Sequence, residues 1–295
     1  MLTETQLHGI YVPVVTPFLG NEEIDNAAFE RYVTHLLSHE IDGLVINGTT
    51  GEAPTVTWEE VAEIVKLTAK LMKAADRQLP LVIGTGTNDT RSTVKRTEQA
   101  AELGADAVLV VTPYYSRPSQ AGIIQHFEHA ASVGVPVLAY EVPARTGIRV
   151  EADTMRQILE IDGVIGLKDS SGDMRLIRQL MDWGCSKPIL CGDDAGFYEM
   201  LSNGAQGGIL ASANLRTNDF IDVYRSYIAG DTARAEATFQ SLALLIGLLF
   251  QESNPSPLKW MLAEQGLINS DTVRLPMSGI TEGLKGRLGG FFSVR

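Results

Sequence analysis

Eight short apolar runs, rich in β-branched residues, recur at fairly even intervals, at 10–15, 43–46, 81–83, 107–111, 137–140, 164–167, 189–191 and 208–211. Between them lie stretches with helical spacing, such as Phe29, Val33, Leu36 and Leu37, or Val61, Ile64, Val65 and Leu67. The runs are nearly continuous rather than alternating in apolar character, which suits strands covered on both faces, as in a parallel sheet wrapped by helices. Eight such units predict an α/β chain closed into a (β/α)8 TIM barrel. A doubly wound sheet would carry a glycine-rich turn after its first strand, whereas here that strand runs into Thr16-Pro17-Phe18. The stretch Gly84-Thr85-Gly86-Thr87-Asn88 follows the third strand and lacks the third glycine, so no dinucleotide site is expected. After the eighth strand about eighty residues remain, more than one closing helix needs. They include amphipathic segments at 220–229 and 233–250. The expected organisation is a barrel over 1–214 with a C-terminal helical extension, 215–295, packed on it. The apolar surface of that extension must be covered by the barrel or by another subunit.

The 24 basic and 36 acidic residues leave a net charge of −12 with no basic block, which argues against a nucleic-acid partner and means that an anionic substrate needs a local positive site. Cys185 and Cys191 are too few for a disulfide framework and lack zinc-site spacing, so both are read as buried thiols. The start of the chain lacks the basic and apolar segments of a signal peptide, and the longest apolar stretch, 242–250, is too short to span a bilayer. A cytoplasmic protein with no membrane partner is expected.

In such a barrel the chemistry sits at the C-terminal ends of the strands. Lys168 closes the sixth run, Val164-Ile165-Gly166-Leu167, among apolar neighbours. An ordinary lysine leaves only about one amine in a few thousand neutral at pH 7, and closing that gap takes roughly 4 to 5 kcal/mol, which burial and nearby cations can supply. A neutral amine can attack a ketone and form an electron-withdrawing imine. The alternative is a structural lysine paired with Asp169 or another carboxylate. The turn Gly48-Thr49-Thr50-Gly51-Glu52 reads as an anion cradle of backbone N–H groups and hydroxyls at a helix start, or as a plain turn before a capped helix. Tyr140 ends the fifth run and Tyr115 follows the fourth, where they could pass protons through Thr50 or simply pack. Arg145 offers a fork for a second carboxylate, or a loop-fixing ion pair. A metal aldolase is the competing chemistry, but His8, His35, His39, His126 and His129 all lie outside the strand ends, so no metal is expected.

Three ordered motifs, Gly48-Thr49-Thr50-Gly51-Glu52, Tyr140-Glu141-Val142-Pro143 and Gly166-Leu167-Lys168-Asp169, resemble those of the dihydrodipicolinate synthase and N-acetylneuraminate lyase superfamily, over essentially the whole chain. Residues 112–118, the stretch Pro143-Ala144-Arg145-Thr146-Gly147 and Asn254-Pro255-Ser256-Pro257-Leu258-Lys259-Trp260 resemble the synthase branch. The resemblance implies a Schiff-base lyase without a cofactor. Lys168 forms a covalent imine with pyruvate, Thr49 and Thr50 hold its carboxylate, and Tyr140 moves protons. Arg145 holds the carboxylate of aspartate semialdehyde, and Gly192 and Ile209 belong to the substrate pocket. Tyr115 would complete the relay across a dimer interface, within a homotetramer built from dimers. The implied product is 4-hydroxy-tetrahydrodipicolinate, of lysine and diaminopimelate biosynthesis.

Two departures stand out. Glu141 replaces the asparagine usual after the motif tyrosine, which could alter the second-substrate pocket and leaves room for another pyruvate-type aldolase or dehydratase, acting on 2-keto-3-deoxy sugar acids or hydroxylated keto acids. Where lysine-inhibited synthases carry two histidines and a glutamate, approximate alignment places Trp58, Val61 and Ser92, so lysine feedback is expected to be weak or absent. A non-catalytic barrel that senses a keto acid or serves as a scaffold is the reading from a different class.

Overall fold

The computed structural model describes residues 1–291. Its eight strands are β1 (Gly9–Pro13), β2 (Gly43–Ile46), β3 (Leu81–Gly84), β4 (Ala107–Val111), β5 (Val137–Glu141), β6 (Val164–Asp169), β7 (Ile189–Cys191) and β8 (Gly207–Ile209). They close in sequence order, and the seam pairs β1 with β8 in parallel, Gly9 opposite Gly207 and Tyr11 opposite Ile209. This is the (β/α)8 barrel the eight runs predict. Gly207 permits the seam to close, because a Cβ there would stand 2.1 Å from the carbonyl oxygen of Gly9.

Among the strand ends, β5 and β6 depart usefully from expectation. The apolar runs stop at Tyr140 and Leu167, but the ladder continues through Tyr140 opposite Lys168 and Glu141 opposite Asp169. Backbone pairing does not need apolar side chains, so Lys168 lies within a strand rather than just beyond one. The register also slips at Val137/Leu138, a bulge that lets Leu138 face Gly166.

The chain forms two compact units. One comprises Met1–Tyr11, Asp42–Val45 and Pro80–Leu210. It carries most of the strand residues together with helices α3 (Thr90–Glu102), α4 (Gln120–Ala131), α5 (Pro143–Thr146), α6 (Ala152–Glu160), α7 (Arg175–Asp182) and α8 (Phe197–Ser202). Its inner core gathers Tyr11, Val45, Val82, Leu109, Leu138, Tyr140, Ile165, Leu190 and Ile209, one or two side chains from each strand, all buried. Burying each such side chain contributes about 1.5–3 kcal/mol. Because side chains alternate along a strand, Leu138 and Tyr140 point inward and Glu141 points outward, against the helical layer.

The second unit comprises Val12–Ile41, Ile46–Leu79 and the chain from Ala211 onward. It holds α1 (Asn26–Leu37), α2 (Trp58–Ala74), α9 (Thr217–Ile228), α10 (Thr232–Leu249), α11 (Ser256–Glu264) and α12 (Glu282–Gly289). The helices α9 and α10 occupy the two amphipathic segments expected there. An apolar cluster of Leu245, Leu248, Leu249, Met261, Leu284 and Leu288 packs α10, α11 and α12 together. Arg77 closes the C-terminal end of α1 by donating to the carbonyls of Leu37 and His39 at 2.9 and 2.8 Å. Among the described residues no helix is long and apolar enough to cross a membrane. Cys191 is buried as expected. Cys185 is only half-buried, because it follows the exposed turn at Gly184 that ends α7.

Candidate active site

Lys168 and Tyr140 face each other across β5 and β6 on the inner side of the first unit. Both are 5% exposed, and Lys168 Nζ lies 4.2 Å from the centroid of the Tyr140 ring. Among the described residues Lys168 makes no ion pair, which sets aside the structural lysine paired with Asp169. The Asp169 carboxylate is turned the other way, and its Oδ1 accepts from the Ser171 N–H at 2.7 Å. Gly192 is placed by its N–H, which donates to the Asp169 carbonyl at 2.7 Å, and it leaves the lysine its room. A Cβ at this position would stand 2.7 Å from Lys168 Cε and 2.2 Å from Ser170 Oγ. Ile209, 1% exposed, belongs to the same apolar cluster as Tyr140. The strand frame thus presents one amine in an apolar well with a phenol alongside, the groups that imine formation and proton transfer need.

Glu141 lies outside that well. It is fully buried on the outward face of β5, where Oε1 accepts from the Val150 N–H at 3.0 Å and Oε2 from the Thr112 hydroxyl at 3.1 Å. Burial pushes its carboxyl up to about 7, with the Asp169 carboxylate adding to the rise and its two hydrogen bonds and Arg149 opposing it. Asp169 is raised as well, first by burial. Glu141 therefore faces the helical layer rather than the barrel interior, and its carboxyl braces the segment running from β5 to Val150. Arg149 ties that segment to the loop after β6, donating to the Ser171 carbonyl at 3.2 Å and pairing with Asp173 at 3.3 Å.

The braced segment carries Arg145 on α5, a single turn that begins at Pro143 and ends at Gly147 with φ +74°. Arg145 is exposed, and among the described residues its guanidinium makes no ion pair, so the loop-fixing alternative is not what the chain builds. The Tyr115 N–H donates to the Thr146 carbonyl at 3.4 Å, which links the loop after β4 to α5. The ring of Tyr115 is 89% exposed on a backbone with φ +72°, and the chain's own core does not cover it.

In the second unit, Thr49 and Thr50 form a single 3-10 turn, Thr49–Gly51, closed by Glu52 in the left-handed region at φ +59°. This turn is not the cap of α2, which starts seven residues after Gly51 and has its own capping box, Thr57 with Glu60. The helix start expected at the cradle is the short turn itself. Thr50 is 4% exposed and Thr49 half-buried. Gly51 accepts from the Thr16 hydroxyl through its carbonyl, at 2.8 Å. From the C-terminal part, Asn254 Nδ2 donates to Thr50 Oγ1 at 3.1 Å, and Lys259, fully buried on α11, pairs with Glu52 Oε1 at 2.7 Å. Burial pulls Lys259 down to about 8, against the opposing pull of Glu52. Sequence reasoning used the stretch 254–260 only as a mark of kinship. The signal that could have given these residues work is a lysine set among Leu258, Trp260 and Met261.

The histidines are placed away from the strand ends, as expected. His126 is buried on α4 with Nδ1 3.0 Å from the Thr90 hydroxyl, and burial lowers it to about 4. His35 and His39 meet each other on and just after α1. Among the described residues no three or more His, Cys, Asp or Glu side chains gather as a metal-ligand group.

Residues 6–290 match the model of the dihydrodipicolinate synthetase family. The 4-hydroxy-tetrahydrodipicolinate synthase 2 of Clostridium acetobutylicum is 34% identical over 97% of this chain and 99% of its own. Two solved structures superpose with a TM-score of 0.92 at 35% identity. One is the 4-hydroxy-tetrahydrodipicolinate synthase of Methylacidiphilum fumariolicum SolV, matching 97% of this chain and 95% of its own. The other is the chloride-inhibited dihydrodipicolinate synthase of Acinetobacter baumannii complexed with pyruvate, matching 97% and 98%. Coverage at both ends, together with the buried lysine and tyrosine in the barrel, leaves one conclusion: the chain belongs to the dihydrodipicolinate synthetase family.

Proposed function

We propose that this chain is a Schiff-base lyase that condenses pyruvate with aspartate semialdehyde to 4-hydroxy-tetrahydrodipicolinate. The observation that carries the reading is Lys168, buried inside the barrel, without a carboxylate partner among the described residues and 4.2 Å from the ring centroid of Tyr140. The Lys168 amine attacks the pyruvate ketone, water leaves, and the resulting imine draws a proton from the methyl carbon to give an enamine. That carbon attacks the aldehyde, the new alkoxide takes up a proton, and the amine of the second substrate attacks the imine carbon. Ring closure releases Lys168, so the balance is two substrates in and one cyclic product and one water out.

In this reading Tyr140 carries the protons, Thr49 and Thr50 hold the pyruvate carboxylate, and Thr50 passes protons on. Arg145 holds the carboxylate of the aldehyde substrate, a role supported by its exposure and by a guanidinium without an ion pair among the described residues. Gly192 and Ile209 shape the wall against the lysine. Tyr115 acts from a neighbouring copy, a role supported by its exposed ring, which makes the protein at least a dimer within a homotetramer. Glu141 faces away from the barrel interior, and with it goes the reason to prefer 2-keto-3-deoxy sugar acids. Val61, 1% exposed on α2, has no polar atom to offer a lysine effector, so the rate should be indifferent to millimolar lysine.

Reduction with borohydride in the presence of pyruvate tests the imine. A covalent mass increase mapped to Lys168, absent from Lys168→Ala, is expected; an unlabelled wild-type protein would refute the mechanism.

A further inference from the structure

We infer that Glu141 is a positioning residue for the second substrate: it fixes the loop that aims Arg145 and so selects an aldehyde that bears a carboxylate. This role rests on the reading of Arg145 as the group that holds that carboxylate. Arg145 sits midway along a loop that leaves β5 at Glu141 and reaches Val150 just before α6. Within the loop the backbone is curled on itself. The Arg145 and Thr146 N–H groups donate to the Val142 carbonyl at 2.9 and 3.1 Å, and the Thr146 hydroxyl donates to the Ile148 carbonyl at 2.8 Å. These bonds shape the turn without closing its neck. Glu141 closes it: Oε1 accepts from the Val150 N–H at 3.0 Å, joining the start of the loop to its end, while Oε2 accepts from the Thr112 hydroxyl beyond β4 at 3.1 Å.

Glu141 is itself part of the sheet, opposite Asp169 and next in sequence to Tyr140, which faces Lys168. The Ser170 N–H donates to its carbonyl at 2.8 Å. One side chain thus ties the Arg145 loop to the strands that carry the imine lysine, so the guanidinium keeps its place relative to the amine. The other ties across the neck are more open to solvent. Gln120 bridges the Arg149 carbonyl and the Glu151 N–H at 3.0 Å each, and Arg149 reaches the Ser171 carbonyl at 3.2 Å. Water can stand in for a partner in such bonds. Glu141 is 0% exposed, so a Val150 N–H deprived of its acceptor regains one only if the loop moves. A guanidinium grips a carboxylate through two parallel hydrogen bonds, which makes that grip sensitive to a shift of the loop. Pyruvate, attached through Lys168, does not depend on the loop.

The test measures kcat and KM for each substrate in wild type, Glu141→Leu, Glu141→Gln, Arg145→Ala and the Glu141→Leu/Arg145→Ala double variant. Borohydride trapping of pyruvate and thermal melting accompany each as checks of folding. Glu141→Leu approximates the side chain in size and lacks the acceptor. It should raise KM for aspartate semialdehyde roughly tenfold or more, while KM for pyruvate changes by less than about twofold and trapping on Lys168 persists. Glu141→Gln keeps an oxygen for Val150 and should retain the wild-type KM for the aldehyde. A merely structural role would move the constants for both substrates together. In the Arg145→Ala background, Glu141→Leu should add no further loss. If Glu141→Leu does not fold, Glu141→Met, more flexible and equally without a strong acceptor, carries the test with the same split expected. A raised aldehyde KM in Arg145→Ala beside a wild-type value in Glu141→Leu or Glu141→Met would overturn the inference alone. So would a Glu141→Gln enzyme as impaired as Glu141→Leu, or losses that multiply in the double variant. An Arg145→Ala enzyme with wild-type KM for the aldehyde would overturn the role of Arg145 and the inference with it.

Discussion

Lys168 and Glu141 are both buried and both borne on adjacent strands, yet one faces the barrel interior and the other the helical layer. Period-two alternation decides this, and it decides what each can do. Glu141 keeps its proton up to about pH 7 in the folded chain, whereas an unfolded glutamate releases it near 4.5. Between those values the folded state binds more protons, so the stabilising contribution is full below about 4.5 and is lost as the pH rises through 7. A displacement of this size corresponds to about 3 kcal/mol. Glu141→Gln keeps the acceptor for the Val150 N–H and carries no charge to bury. It should therefore be more stable than wild type at pH 8, with the gap narrowing toward pH 5, as followed by urea midpoints. A midpoint difference that does not change with pH would refute this. Lys168 was legible in the sequence because a lysine closes an apolar run at a strand end. The setting of Glu141 was not, since the apolar run stops before it and only the continuing ladder shows which way it turns.

Most strands lie within two residues of their apolar runs, because a core-facing strand and its hydrophobic pattern are the same physical requirement. The helix α5 has no such period to read; Pro143 at its start and Gly147 after it are its only local signals. The link from α11 to the turn at Thr49–Gly51 was equally hidden, since Lys259 meets Glu52 across 207 residues of sequence and no local pattern encodes that distance. Its energetics are nevertheless predictable. Lys259→Met leaves the Glu52 carboxylate buried beside an apolar chain, which costs about 3–5 kcal/mol. Neutralising both partners in Lys259→Met/Glu52→Gln should recover much of the loss. Denaturant unfolding of the two variants checks this, and a double variant no more stable than the single would show that the charge left behind is not the source of the damage.

At the scale of the molecule, eight evenly spaced units were enough to read a closed barrel, because eight parallel strands covered on both faces have few other ways to satisfy their edges. Assembly is not written in that count. The proposed assembly turns on Tyr115, whose exposed ring is held on a left-handed backbone. Light scattering should find nothing smaller than a dimer at assay concentration, and Tyr115→Phe should lower kcat by roughly tenfold or more without dispersing the assembly. A fully active monomer would contradict the role given to Tyr115. The central claim is an imine on Lys168 turned toward aspartate semialdehyde. Its most direct test is the rate with pyruvate and that aldehyde, read through added dihydrodipicolinate reductase, which consumes reduced nicotinamide cofactor only when the cyclic product forms. A robust rate that is lost in Lys168→Ala and falls sharply in Arg145→Ala is the predicted result. No rate, in a preparation that still traps pyruvate on Lys168, would contradict it.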